Sequence, residues 1–256
     1  FAQMVATLLA LPCLALSTGQ PHTFSRRGAL VAAGGAALGA ALPAHAVEEE
    51  DVKVYFGAGC FWHVQHEFVL KEAAELGRSG AAFSAVTGYA GGTGTERGLV
   101  CYHNGRGVSD YGRLGHAEAV QVSIPPSALP AFASKFIGIF GSRGYRHDPQ
   151  DRGGEYRSVL GLPGGTKSPY YSKFVAAAEG SPMKLVEGKG SEGDTLGTRE
   201  ILVMDSDKFP FYRAELYHQF HNDFQGPAYG TAYNRLQRVL AKEGRLGTTG
   251  CPEEAF

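Results

Sequence analysis

Val52-Lys53-Val54-Tyr55-Phe56-Gly57-Ala58-Gly59-Cys60-Phe61-Trp62 is the stretch on which the fold turns. Val52–Gly57 is a short β-rich run stopped by glycine. Beyond it, Phe61, Val64, Phe68, Val69 and Leu76 share one broad arc of a helical wheel, interrupted only by Glu72. Gly77 and Gly80 close that pattern. A strand therefore feeds a helix, and Cys60 stands at the hinge.

The pattern extends outward from this unit. Ala81–Tyr89 is expected to be a second strand, broken at Gly91-Gly92. Thr93–Gly115 is polar and Gly-rich, a long loop of the kind that carries function. Ala117–Ile124 is the next strand, halted by Pro125-Pro126. Leu129, Phe132, Ala133, Phe136, Ile137 and Phe140 then follow helical spacing. Tyr156–Leu162 and Arg199–Asp205 are expected strands, with a helix over Pro169–Glu179. Tyr212–Phe224 and Ala228–Glu243 are expected to be two terminal helices, followed by a flexible tail from about residue 244. The order strand, helix, strand, strand, helix, strand defines an α+β chain with a ferredoxin-like split βαβ sandwich.

Residues 1–46 have a different composition. They contain no Asp or Glu, and their formal charges are Arg26 and Arg27. Val5–Leu16 and Gly28–Ala46 flank that pair, and Ala44-His45-Ala46 is a small-x-small cleavage pattern. Acidic-poor leaders read as transit peptides, and charged-apolar-AxA segments as secretory signals. Ser25-Arg26-Arg27-Gly28-Ala29-Leu30 resembles a twin-arginine signal. A bipartite targeting segment is expected over 1–46, with the catalytic domain over 47–256. The expected destination is a thylakoid lumen, with a bacterial periplasm as the alternative and membrane contact only during export. A retained membrane helix over Gly28–Ala46 is the structural alternative. The first residue is Phe, so further residues are expected to precede it.

The chain's formal charge of -1 at pH 7 leaves no basic excess to neutralise phosphates, which argues against nucleic acid as a partner. Four cysteines without a C-x-x-C pair do not make a disulfide scaffold or a zinc ribbon. Each is therefore read separately. Cys60 begins a helix, where free N–H groups and the dipole favour a thiolate. The alternative is a buried structural cysteine with core aromatics. Two adjacent aromatics, Phe61 and Trp62, point to at least one that lines a surface pocket. In Gly115-His116-Ala117-Glu118-Ala119-Val120, Glu118 shares a strand face with Val120, Val122 and Ile124. Desolvation there raises its pKa and makes it a proton donor near neutrality, unless a neighbouring Arg pairs with it.

At this point the sequence resembles the A-type peptide methionine sulfoxide reductases. Gly59-Cys60-Phe61-Trp62 is similar to the family's nucleophile motif, Thr87-Gly88-Tyr89-Ala90-Gly91-Gly92 to its tyrosine-glycine motif, and Gly115–Val120 to its glutamate motif. Asp148-Pro149, Asp151–Ser158 and His218-Gln219 resemble later family segments, in the same order. His63 and Gln65 depart from the small and acidic residues usual after the Trp, and the loop between Cys101 and Gly115 is longer than usual. The resemblance implies Cys60 as nucleophile and Phe61 and Trp62 as the methyl pocket. It implies Glu118, Tyr89 and Tyr156 on the sulfoxide oxygen and Asp151 orienting the site. Tyr89 and Tyr156 have a packed-tyrosine alternative, and Asp151 a turn-residue one. The implied substrates are oxidised proteins or free methionine sulfoxide, reduced through a Cys60 sulfenic acid without cofactor. Cys251, in the tail, is the expected recycling thiol for a thioredoxin-like reductant, with Cys101 the second choice.

Two rivals start from histidines. His63 with His66, and His218 with His221, have the i, i+3 spacing of a shared helix face and form a candidate metal site, although no carboxylate or Cys completes either set. His116 or His66 beside Cys60 would instead make a Cys-His hydrolase.

Overall fold

The computed structural model describes residues 50–104 and 106–253. The targeting segment expected over 1–46 lies outside the described residues. Among those described, no helix is long and apolar enough to cross a membrane.

Seven strands form one mixed sheet: β1 Val52–Gly57, β2 Val86–Ala90, β3 Ala117–Ile124, β4 Val159–Leu162, β5 Lys184–Glu187, β6 Glu200–Asp205 and β7 Tyr212–Arg213. Their order is β5-β6-β4-β1-β3-β2-β7. The four central strands, β4-β1-β3-β2, pair antiparallel throughout. With α1 Phe61–Leu76 joining β1 to β2 and α2 Leu129–Ile139 joining β3 to β4, they form the split βαβ core. β5 and β6 extend it in parallel beyond β4, and β7 closes the β2 edge.

The strand period of two builds a layer on each face. Val54 and Phe56 of β1, with Val120, Val122 and Ile124 of β3, join the main core under the helices. Phe56 stacks on Phe68 of α1 at 4.2 Å between ring centroids and meets Phe136 of α2 at 5.0 Å. Tyr55, Ala119, Val159, Leu202 and Met204 face the other way and pack under Phe209 and Phe211.

The elements depart from expectation at four places. β2 starts at Val86, after a 3-10 turn over Gly80–Ala82, and β4 starts at Val159, after another over Gly154–Tyr156. Lys184–Glu187 is a strand without a sequence signal, because it is half exposed and short. Tyr212–Phe224 is not a helix: it contains β7 and a 3-10 turn over Leu216–His218, whereas α3 Tyr171–Ala178 and α4 Thr231–Lys242 fall within their expected bounds. Side chains hold that segment against the sheet. Gln219 accepts from the Thr87 N–H and donates to the Thr87 and Ala214 carbonyls. Gln65 Oε1 accepts from the Phe220 N–H at 2.6 Å. Gln65 is thus a buried clamp between α1 and the 219–220 backbone.

The tail is docked, not free. Leu246 is buried, and Arg213 donates to the carbonyls of Arg245 and Gly247. Cys251 is disulfide-bonded to Cys101, and Glu253 accepts from the Leu216 N–H. Cys101, expected as a packed inert thiol or second-choice partner, is half of that bond.

Candidate active site

Cys60 is the residue before the first turn of α1 and the free cysteine among the described residues. Gly59 precedes it at φ +83°, a conformation open to glycine, and a Cβ there would lie 2.5 Å from Asp151 Oδ2. The missing side chain lets Asp151 reach over the turn, where its Oδ2 accepts the Cys60 N–H at 2.8 Å. The next amide, Phe61 N–H, donates to Glu118 Oε2 at 2.8 Å. Glu118 Oε1 accepts from the Tyr111 hydroxyl at 3.3 Å. Two carboxyl groups from distant segments therefore occupy the first two amides of the helix.

Around this centre, Cys60, Phe61, Trp62, Tyr102, Glu118, Asp148, Asp151, Tyr156, Asp223 and Phe224 line one small cavity. Phe61 and Trp62 are both buried, and both line it, so neither is simply diverted to the surface. Trp62 is covered by His221 at 4.2 Å and Phe224 at 5.1 Å between ring centroids.

Burial pushes the Glu118 carboxyl up to about 8, against the opposing pull of the Phe61 amide. The proton donor expected from the strand pattern has this environment, and among the described residues no Arg bonds it. Cys60 runs opposite to expectation. Burial first, and then the negative charge of Glu118, push its thiol well above the usual range; the Trp62 amide only partly offsets them. The Cys60 and Phe61 amides already serve carboxylates, so they do little to offset that rise. Burial likewise raises Asp151, opposed by its bond to the Cys60 amide.

Of the site residues expected from sequence, Cys60, Phe61, Trp62, Glu118, Asp151 and Tyr156 come together. Tyr89 does not line the cavity. It is fully buried, and its hydroxyl donates to Glu215 Oε2 at 2.7 Å. Its ring stacks on Tyr111, 4.6 Å away, which carries the hydroxyl bound to Glu118. Tyr102, Tyr111, Asp223 and Phe224 are additional site residues. The first two belong to the long loop and the others to the segment expected as helix, so no periodicity singled them out. Glu215 also accepts the Tyr102 N–H at 2.8 Å. It thereby links the cavity wall to Cys101, the neighbour of Tyr102.

Arg146 and Arg157 hold the surrounding loops. Arg146 donates to the Asp151 carbonyl and pairs with Asp194. Arg157 donates to the carbonyls of Gly91 and Gly115, tying the two glycine-rich motifs together. The rivals' histidines are engaged in packing: His63 stacks on His147, His66 on Tyr229, and His218 and His221 both lie against Trp62. His116 is occupied by the Gly92 amide and the Gly94 carbonyl, which removes it as a base for Cys60.

A thiol beside a protonated carboxyl, in an aromatic-walled cavity, is the constellation of a thiol oxidoreductase that must supply a proton to its substrate. The chain is 29% identical over 186 residues to the peptide methionine sulfoxide reductase MsrA of Geobacter sulfurreducens, a match covering 68% of this chain and 91% of that protein. No family model matches. Among solved structures, it is similar to methionine sulfoxide reductase A of Corynebacterium diphtheriae (TM-score 0.39, 21% identity, 66% of this chain and 72% of that one). It is also similar to Mxr1 from Saccharomyces cerevisiae in reduced form (TM-score 0.40, 19% identity, 66% and 83%). The similarity to this relative agrees with the resemblance carried by the ordered motifs.

Proposed function

We propose that the protein reduces the S epimer of methionine sulfoxide, free or in oxidised proteins, with Cys60 as nucleophile and Glu118 as proton donor. The observation that carries this reading is the pairing of Glu118 with the Phe61 amide, which sets a buried, protonated carboxyl beside Cys60. A sulfoxide sulfur becomes electrophilic only when its oxygen is hydrogen-bonded or protonated. Glu118 gives its proton to that oxygen, with Tyr156 and Tyr102 as further wall hydroxyls. The Cys60 sulfur attacks, and the thiol proton restores the carboxyl. The S–O bond of the substrate breaks as a Cys60 S–O bond forms, so methionine leaves and a sulfenic acid stays. Trp62 and Phe61 supply the apolar wall for the methyl group, and Asp151 fixes the Cys60 backbone.

Recycling falls to the other two cysteines. One of the thiols, Cys251 in our reading, condenses with the sulfenic acid, releasing water and forming a disulfide with Cys60. The second thiol displaces Cys60 and leaves Cys101–Cys251, the bond present in this structure. A thioredoxin-like dithiol then reduces it. Residues 1–46 remain a proposed targeting segment for a thylakoid lumen, supported by their lack of acidic residues and by Arg26-Arg27. A native N-terminal peptide spanning Ala46-Val47 would contradict cleavage there.

The test is an epimer-resolved assay of the full chain on a methionine sulfoxide peptide with dithiothreitol. Consumption of the S epimer alone is expected; no turnover of either epimer would overturn the proposal.

A further inference from the structure

Three side chains from separate segments converge beside the Cys60 cavity. His63 is on the first turn of α1, His147 follows α2, and Asp223 lies between the Leu216–His218 turn and α4. One imidazole nitrogen from each histidine and one Asp223 carboxylate oxygen lie within 4.8 Å of one another. The two imidazole rings lie face to face, 3.8 Å between centroids and 7° from parallel. Asp223 Oδ2 is 3.8 Å from His147 Nε2, and its side chain is only 4% exposed.

That oxygen is buried and has no hydrogen-bond partner among the described residues. A buried carboxylate oxygen normally has a partner, because stripping it of water is costly. The 3.8 Å separation from His147 is too long for a hydrogen bond. His147 is also exposed, so an ion pair there is weak. The Tyr229 hydroxyl lies close enough to feel the Asp223 charge, which raises its pKa after burial does, but it meets no partner at full hydrogen-bond geometry. The neighbouring Glu67 is already held by Lys135. A cation held by the three side chains would satisfy that oxygen.

We propose that His63, His147 and Asp223 form a zinc site on the rim of the Cys60 cavity, and that an ion bound there shuts the cavity. Two imidazoles and one carboxylate suit zinc, and leave a fourth position for water. Asp223 and Phe224 are cavity walls, so an ion tying Asp223 to α1 fixes them across the mouth. The blocking of activity rests on the function proposed above; the binding does not.

Zinc chloride is titrated calorimetrically into the full chain with Cys101–Cys251 intact. The disulfide matters because Cys101, Cys251 and Glu215 also cluster and would offer thiolates on reduction. One zinc per chain is expected. His147→Ala, at an exposed position, and separately Asp223→Asn should weaken it by more than about tenfold, at least the effect of losing an outer-shell partner. Cys60→Ser should bind as tightly as wild type, and cobalt in place of zinc should show no sulfur charge-transfer absorption. Zinc should inhibit sulfoxide turnover by wild type and not by His147→Ala, whose zinc-free rate should match wild type. Absence of binding, or binding kept in His147→Ala and lost in Cys60→Ser, overturns the site. Stoichiometric binding without inhibition overturns the shutter. A chain inactive on sulfoxide but binding zinc through His147 would sink the catalytic reading and leave the site standing.

Discussion

Glu118→Gln should make the protein more stable and nearly inactive, and the size of the first effect follows from the buried carboxyl. Glu118 titrates near 4.5 when exposed and near about 8 in the fold. An acid whose pKa is raised by folding favours the native state most when protonated in both states. From pH 4.5 upward the unfolded chain releases this proton while the folded one retains it, at 1.36 kcal/mol per pH unit. By pH 7 the carboxyl costs roughly 3 kcal/mol of stability, and the loss levels off above about pH 8. Gln is neutral throughout, and its amide oxygen can still accept the Phe61 N–H. Urea unfolding of both proteins, with the disulfide intact, should give equal stabilities near pH 4.5 and a gap that widens toward pH 8. At a few degrees per kcal/mol, the melting temperature at pH 7 should rise by roughly 6–12 °C. Turnover should fall by roughly 10²–10⁴, the contribution of a positioned proton donor. In wild type, kcat/KM should decline as pH rises through about 8, where Glu118 loses its proton. A stability gap independent of pH, or a Gln variant with wild-type turnover, would refute the buried-donor reasoning.

Cys60→Ser should abolish sulfoxide reduction while keeping the fold, since a hydroxyl is not comparably nucleophilic; measurable turnover in that variant ends the mechanism. Tyr111→Phe removes the hydroxyl bound to Glu118 and should lower kcat and move the alkaline limb of the pH profile, whereas Tyr89→Phe should mainly destabilise the Glu215 contact; the reverse ranking would restore Tyr89 to the oxygen. Cys251→Ser should complete one normal turnover and then recycle poorly with thioredoxin, and full thioredoxin-driven activity would show that another thiol resolves Cys60. The same change opens a loop of sequence separation 150, so stability should drop by roughly 2–5 kcal/mol in denaturant titration. Gly59→Ala forces a side chain to φ +83° and onto Asp151 Oδ2; a variant with unchanged stability and rate would mean that the Asp151 cradle is dispensable.

The central fold was legible because each of its elements repeats one period over several residues. Phe61, Val64, Phe68 and Val69 marked α1, and Glu118, Val120, Val122 and Ile124 marked one face of β3. Those faces now meet in the core, with Phe56 between α1 and α2. The expected helix over Tyr212–Phe224 fails for a reason that periodicity cannot express. Its backbone is satisfied by Gln65, Gln219 and the β2 edge, all from far along the chain or from side chains, and Gly88 admits Tyr212 closely where a Cβ would meet its carbonyl at 2.2 Å. The tail was misjudged similarly: Gly247–Gly250 promises freedom locally, but Cys251 is bonded to Cys101.

At the site, the sequence singled out Cys60, which lines the cavity, but the thiolate expected there is opposed first by burial and then by Glu118. A helix start favours a thiolate only while its amides are free to face the sulfur. Here Asp151 and Glu118 take the amides of Cys60 and Phe61, and they come from the loop between α2 and β4 and from β3, which no local pattern around Cys60 reveals. The result is a resting pair in which both the thiol and Glu118 favour the protonated form. For a reaction that needs a proton on the substrate oxygen before the sulfur attacks, that state is the useful one. A thiolate formed in the cavity is disfavoured by burial and by any negative charge on Glu118. The buried pair instead retains its protons until a sulfoxide oxygen arrives to accept one, so nucleophile and donor become active in the same step.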